Sequence, residues 1–538
     1  MIYIVNVVTL LLFKAFHATV FPLYLNYIST VYLYSFCVFA VFSGFAVYMA
    51  WSTMIIKTKK EEFESYLEDT SNLKGNASSL YIPQTLGEIN DAIRNFYIKK
   101  TPFTVVAGKT GTTAGCVAQE GVIMSVEMLN KIIDIDKTKK MAYLQAGASF
   151  KDLEEEARKF NLSLLASPTE SLALVSGAIS TCASGVRGFG YGSIRNYIST
   201  ISVVLPTGEI LEIERGKILA NKRVFDFQYS GKSFKFNLPH YTQPSIKSQA
   251  GYFVKDNMDL IDLFIGSEGT LGVVTSCKLR LSEIPENVFD GLIFFKKEQD
   301  GLEFIVKIKK FKNVCPASLE FFDRNSLRML KEKYSFIPDA ACAVYFEQTV
   351  GLGQDYNSLM DNWISSIEEY ATFSDNNILA DTVREREKVF EFRHKLPQLI
   401  NEFLRQHSQL KASLDCAVPF EKILEMYNFY KEKGENCGID YVNFGHIGEA
   451  HLHFNFLPKN DEQSLKAKKY MEIFCKKALT LGGTISAEHG IGKIKKPFLK
   501  LMYNKSQIEE MARLKKYFDP ACLMGLDNIF EKEILFKV

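Results

Sequence analysis

"GSEGTLGVVT", Gly266 to Thr275, sets a turn of glycine and short polar residues between two apolar runs, Leu263–Ile265 and Val273 onward. So little side chain in a turn lets backbone approach another surface closely. Two earlier stretches have the same texture. "AGKTGTTAGCVAQEG", Ala107 to Gly121, places Gly108, Gly111, Gly115 and Gly121 among Lys109, Thr110, Thr112 and Thr113. Backbone N–H groups unshielded by Cβ can form a concavity for phosphate oxygens, and threonine hydroxyls add donors. The stretch is neither a Walker A pattern nor a Rossmann fingerprint, and alone it also fits a surface turn. The third stretch, "PTESLALVSGAISTCASGVRGFGYGSIRN", holds Pro168, Gly177, Ser180, Thr181, Ser184, Gly185 and Gly192 within 25 residues. That density implies backbone lying against something flat or bulky, and the three segments together imply one shared ligand.

Around these segments, from Phe103 to Leu281, short β-branched runs alternate with glycine-rich turns, and one helix is expected at Phe150–Phe160. Upstream, Leu80–Ile82 reads as a strand leading through Pro83 into a helix with Ile89, Ile93 and Phe96 on one face. Arg215–Gly251 is polar and aromatic, a long excursion or lid. After Ile284-Pro285 the pattern becomes strands alternating with long helices, so a boundary is expected near Ser282–Glu286. The fold class is α+β, with the chain divided as 1–56, 57–76, 77–284 and 285–538.

Residues 1–56 carry only Lys14 and His17 as chargeable side chains, and Val31–Ile56 is an uncharged run of 26 residues. That is long enough to span a bilayer, so 1–56 is expected to be an anchor of one or two helices. Lys57, Lys59 and Lys60 follow directly and favour the cytoplasmic side, which would face the rest of the chain to the cytoplasm. Residues 57–76 read as a basic and polar linker. A net charge of +2 argues against nucleic acid. Ten cysteines without a Cys-x-x-Cys pair argue against an iron–sulfur cluster or a cysteine zinc site.

"FGHIGEAHLHFNF", Phe444 to Phe456, packs three of the chain's eight histidines into eight residues. On a strand, His451 and His453 share a face, and Gly445 and Gly448 can turn His446 back beside His453. With a carboxylate from "AEHG", Glu488, the set suits Zn²⁺ or Mn²⁺. A histidine-rich structural strand, or a zinc hydrolase needing no glycine-rich half, fits the same residues.

The three glycine-rich segments, with "AGY" at Ala250–Tyr252, resemble the PCMH-type FAD-binding domain of the vanillyl-alcohol oxidase superfamily. "GHIGEAHLH" and "EHGIG" resemble the signatures of its D-lactate, glycolate and D-2-hydroxyglutarate dehydrogenase branch. The resemblance implies a two-subdomain FAD-binding domain at 77–284. It also implies an α+β substrate cap at 285–538, whose C-terminal segment returns to the flavin. It assigns Gly108, Lys109, Thr110, Gly111, Thr112, Gly115, Pro168, Gly177, Ser180, Thr181, Ser184, Gly185, Gly192, Gly266, Glu268, Gly269 and Val273 to FAD. By the same carry-over His446, His453 and Glu488 hold the metal, His489 is the base and Arg393 grips the substrate carboxylate. The implied reaction passes hydride from a 2-hydroxy acid, most like D-lactate, to flavin N5, with electrons leaving to a quinone or protein carrier.

Departures accompany the match. Ala107 stands for an arginine, Lys109 and Thr110 stand for glycines, and Glu449, Ala450 and His451 stand for Asp, Gly and Asn. No histidine lies in the loops where relatives attach flavin, so FAD is expected to be non-covalent. These departures keep other readings open: an alkylglycerone-phosphate synthase-like or aldonolactone oxidase-like flavoprotein, or a degenerate member without catalysis.

Overall fold

The computed structural model describes residues 54–538 apart from 312–313, 315 and 352. The expected anchor up to residue 53 lies outside the described residues, among which no helix is long and apolar enough to cross a membrane. Ile55 and Ile56, counted above with the anchor, instead begin a strand, Ile55–Lys57, paired antiparallel with Leu80–Ile82. The stretch 57–76, expected as a linker, is folded as well: Phe63 and Leu67 are buried with Leu80, Ile82 and Val106. Two large apolar side chains within a charged run are enough to seal the end of a small sheet.

That first sheet runs Ile55–Lys57, Leu80–Ile82, Val122–Ser125, Phe103–Val106, with the last three strands parallel. A parallel pair needs a crossover, and the helix Leu86–Lys99 supplies it. The Thr85 hydroxyl caps the helix by accepting from Glu88 N at 3.2 Å, and Ile89, Ala92, Ile93 and Phe96 are buried as their spacing predicts. The C-terminal segment closes on this sheet through Phe103 N to Leu523 O (2.8 Å) and Gly525 N to Phe103 O (2.9 Å).

A second, five-stranded antiparallel sheet is ordered Ile132–Asp136, Met141–Gln145, Val273–Arg280, Ile198–Val204, Ile210–Glu214. The opening stretch therefore feeds its central strand. The helix expected at 150–160 spans Phe150–Arg158, capped by Ser149. The excursion at 215–251 is not a free lid: it forms the hairpin Val224–Tyr229 and Lys232–Asn237, and Phe236 packs on Tyr517 and Phe518.

The third sheet has seven antiparallel strands: Ile378–Ala380, Val288–Phe295, Cys342–Thr349, Ser318–Asp323, Tyr441–Gly445, His453–Phe456, Ala412–Leu414. Its core is dense. Phe346 stacks on Trp363 with ring centroids 3.5 Å apart, and a Cβ on Gly291 of the neighbouring strand would collide with the Phe346 ring. Gly291→Ala should therefore cost about 1–3 kcal/mol in denaturant unfolding, and adding Phe346→Leu should recover part of that loss. An unchanged midpoint for the single variant would contradict this packing.

Candidate active site

The strands Tyr441–Gly445 and His453–Phe456 pair with Phe444 opposite His453, so the connection between them must reverse sharply. Gly445 adopts φ +125° and Ala450 φ +55°. Only glycine fits at 445, because a Cβ there would lie 2.6 Å from His453 Cδ2. The reversal gathers the rings of His446, His451 and His453 with centroids 4.8–5.2 Å apart, tilted or edge to face. Glu488 enters from the loop after the helix Asp461–Thr480, and its Oε2 lies 3.3 Å from His446 Nε2, 3.6 Å from His451 Nε2 and 4.0 Å from His453 Nε2. One ligand atom from each of the four residues falls within 4.8 Å of all the others, and all four residues are buried.

His446 is held from behind. Its Nδ1 lies 2.5 Å from Glu320 Oε1, on the adjacent strand Ser318–Asp323, and Glu320 Oε2 accepts from Arg393 Nε (3.2 Å) and Nη2 (3.1 Å). Burial opposes protonation of His446, but Glu320 and Glu488 together outweigh it and hold the pKa up to about 9. Burial pushes His451 and His453 below the usual histidine range. Both nitrogens of His451, and Nδ1 of His453, are buried without a hydrogen-bond partner. Neutral imidazoles from His451 and His453 whose Nε2 atoms approach the Glu488 carboxylate form with it a donor set that fits a divalent cation. The other Glu488 oxygen accepts from Ser184 Oγ at 2.5 Å and pairs with Lys247, which also binds Glu449 at 2.8 Å.

Beside this cluster, fully buried Asp415 organises the backbone. Its Oδ2 accepts from Glu488 N (2.8 Å) and His489 N (2.9 Å), and its Oδ1 pairs with Lys495 and accepts from Ser486 Oγ (3.2 Å). The His489 ring lies parallel to that of His453, with centroids 5.1 Å apart, and its Nδ1 is 3.5 Å from Asp415 Oδ2. Its side chain is 25% exposed, which leaves an edge open to a small molecule. Burial, aided by Lys495 and Lys411, outweighs Asp415 and Glu488 and holds the His489 pKa down to about 4.

The three glycine-rich segments meet as expected. A Cβ on Gly108 would be 3.1 Å from Leu174 N, and one on Gly177 would be 3.2 Å from Ala107 Cβ. Gly266 N donates to Ile179 O (2.9 Å) and Glu268 N to Ser180 O (2.7 Å). A Cβ on Gly185 would run into Ser167 O, and Gly192 and Gly269 take positive φ. Thr112 Oγ1 is buried with no partner, and a bare hydroxyl inside a cradle of small residues fits a bound FAD. Thr113 Oγ1 donates to His489 O at 3.1 Å, joining this cradle to the histidine cluster.

Several side chains go elsewhere than expected. Arg393 is buried against Glu320 and does not join the donor cluster; the same helix, Val383–Gln406, that displays it turns it toward the strand behind His446. Ser184, expected on FAD, donates to Glu488, because its loop passes beside the histidine cluster. Glu268 sends its carboxylate to Ile491 N (2.8 Å) and Gly492 N (2.6 Å). Thr181 Oγ1 bonds back to Gly177 O (3.0 Å), Val273 sits in the central strand and the Lys109 ammonium lies over the Tyr66 ring. Lys247, Glu320 and Lys495 were not anticipated. Glu320 had a signal, a lone acid within the apolar run "SLEFF", but Lys247 and Lys495 read as ordinary solvated lysines.

Residues 77–214 match the FAD binding domain family, and residues 284–525 match the C-terminal domain of FAD linked oxidases. A D-lactate dehydrogenase of Archaeoglobus fulgidus is 26% identical over 84% of this chain and 90% of its own length. The glycolate oxidase subunit GlcD of Bacillus subtilis is 27% identical over 85% and 89%, and a D-2-hydroxyglutarate dehydrogenase of Stutzerimonas stutzeri is 24% identical over 88% and 96%. The fold is shared with 4-ethylphenol oxidase from Gulosibacter chungangensis, at TM-score 0.63 and 15% identity over 89% of this chain and 95% of that one. It is shared also with alkyldihydroxyacetonephosphate synthase, at TM-score 0.62 and 16% identity over 87% and 81%. The chain belongs to the PCMH-type FAD-linked oxidases and is an FAD-dependent oxidoreductase.

Two measurements probe this scaffold. Asp415→Asn leaves Lys495 buried without its counter-charge and should cost about 3–5 kcal/mol, whereas Asp415→Asn with Lys495→Met should be milder. Equal losses in denaturant unfolding would show that the pair is not the cause. Burial also pushes Glu268 up to about 7, against the pull of two backbone N–H groups, Lys495 and Lys493. A raised carboxyl favours the fold fully below its unfolded pKa, near 4.3, and that favour is lost as pH rises through about 7. Glu268→Gln should therefore gain up to about 3 kcal/mol relative to the parent between pH 4 and pH 8; a pH-independent difference would refute the shift.

Proposed function

We propose that the chain oxidises a 2-hydroxy acid, D-lactate or a close analogue, to the 2-oxo acid. The observation that carries this is the junction of the two clusters: the glycine-rich cradle and the His446–His453–Glu488 set share the loop of His489 through Thr113. The names of the three relatives above, D-lactate, glycolate and D-2-hydroxyglutarate enzymes, support the same substrate class.

FAD, held without a covalent link by the Gly108–Gly115 loop and the segments around Gly177–Gly185 and Gly266–Gly269, supplies a two-electron acceptor. A divalent ion, Zn²⁺ or Mn²⁺, at His446, His453 and Glu488 supplies positive charge where the alcohol loses its proton. The remaining roles fall to the chain's own groups. His489 is unprotonated at neutral pH and accepts the hydroxyl proton at Nε2, since its Nδ1 faces Asp415. Asp415 then stabilises the resulting imidazolium, while its bonds to the Glu488 and His489 amides fix the ring's place. Arg393 acts through Glu320, orienting His446 with its Nε2 toward Glu488. Around the cluster, Glu320, Glu449 and Glu488 pair with Arg393 and Lys247, and a bound divalent ion would leave a positive balance that favours an anionic substrate.

The uncharged N-terminal run supports a membrane anchor with the catalytic part facing the cytoplasm, and electrons then pass to a quinone or a protein carrier. Purified protein should show oxidised-flavin absorption and reduce an acceptor dye with D-2-hydroxy acids. His489→Asn should lower turnover by about 10²–10⁴-fold, and chelation by about a hundredfold or more. No dye reduction by any 2-hydroxy acid after FAD and Zn²⁺ or Mn²⁺ are restored would overturn the assignment. Absence of flavin absorption would favour a hydrolase built on the histidines.

A further inference from the structure

Resting on the reading of a divalent ion at His446, His453 and Glu488, we propose that His451 is a fourth protein ligand, so that three imidazoles and one carboxylate hold the ion. Three independent observations lead there. His451 is 0% exposed, yet neither ring nitrogen has a hydrogen-bond partner. Leaving a buried polar group unsatisfied costs about 1–3 kcal/mol, so a partner is called for.

The spacing then identifies the partner. His451 Nε2 is 3.6 Å from Glu488 Oε2, closer than His453 Nε2 at 4.0 Å, and within the 4.8 Å set. Ligands at about 2.0–2.1 Å from a first-row ion lie about 3.0 Å apart at a right angle, about 3.4 Å at a tetrahedral angle and about 4.2 Å across the ion. His451 therefore meets the spacing as well as the residues assigned by resemblance.

Its direction is also imposed by the chain. Ala450 takes the left-handed conformation at φ +55°, His451 N donates to His446 O at 3.3 Å, and His451 bridges to Ala417 on the opposite side. These constraints on both flanks hold the ring inside the cluster. The consequence concerns the metal. Four protein donors fill the usual coordination of Zn²⁺, whereas an ion that takes six ligands keeps two positions for a chelating hydroxy acid. A hydroxy acid that chelates the ion therefore needs Mn²⁺, or another six-coordinate first-row ion, at this site.

The test uses the full chain with FAD bound, stripped by chelator and reloaded with Mn²⁺ or Co²⁺. X-ray absorption at the metal edge counts the imidazoles, and metal titration gives the affinity. Three imidazoles are expected in the parent, and two in His451→Asn with affinity lower by at least about tenfold. Two imidazoles in the parent, or an unchanged affinity in a folded, flavin-retaining variant, would overturn the role of His451 while leaving the ion in place. No ion uptake by the parent would overturn the metal reading itself and His451 with it. If the variant does not fold, the parent's imidazole count alone decides.

Discussion

The buried Asp415–Lys495 pair is the constraint on which the site depends. Asp415 is completely enclosed, so its charge is tolerable only because Lys495, Ser486 Oγ and two backbone N–H groups converge on it. Its position on the edge strand side of the seven-stranded sheet fixes where residues 488 and 489 can lie. Glu488 and His489 are neighbours in sequence but face different tasks, and one carboxylate holding both amides sets their two directions at once. A hydrophobic substitute of equal volume could fill the space, but it could not aim two consecutive amides.

A second constraint joins the two halves of the fold. Gly492 has φ +50°, and a Cβ there would collide with Thr113 O. A Cβ on Gly490 would lie 2.8 Å from the Glu268 carboxylate. Glu268 and Thr113 belong to the glycine-rich segments, so the loop carrying His489 is built against the cradle itself. The C-terminal segment adds to the same seam: Asn528 Nδ2 donates to Gly115 O (2.8 Å) and Glu268 O (2.9 Å), and Lys493 Nζ donates to Asn528 Oδ1 (2.6 Å). On the proposed reading, hydride transfer needs donor carbon and acceptor ring in van der Waals reach, and a shared loop secures that better than two domains merely touching.

What the sequence reveals follows from how local each cause is. Glycine-rich turns and the 446–453 spacing are local signals, because only glycine tolerates the φ values and close approaches involved. Gly445 beside His453 is an example. The convergence of three such segments was legible because one shared ligand explains them better than three unrelated loops. Side-chain destinations were not legible where the partner is distant in sequence. Arg393 and Glu320 are 73 residues apart, and Lys247 and Glu488 are 241 apart. A solvated arginine, a substrate arginine and a buried supporting arginine look alike on a helix until the opposing strand is placed. The 57–76 stretch failed for another reason: its charges mask Phe63 and Leu67, and burial depends on those two residues rather than on average polarity.

The electrostatic economy of the cluster also explains why so many ionisable groups can be buried together. Glu488 shares its two oxygens between different partners, one toward the imidazoles and one toward Lys247 and Ser184. That division keeps the carboxylate ionised well below its ordinary pKa despite burial. Glu320 does the same between His446 and Arg393. Each acid is thus neutralised from outside the cluster and left with one oxygen directed inward. Burial can then keep His451 and His453 neutral beside the carboxylates, and neutral imidazole is the form that donates a lone pair to a cation. On the proposed reading, the lysine and arginine at the periphery serve the metal's ligands first, and the substrate only through the net charge they leave behind.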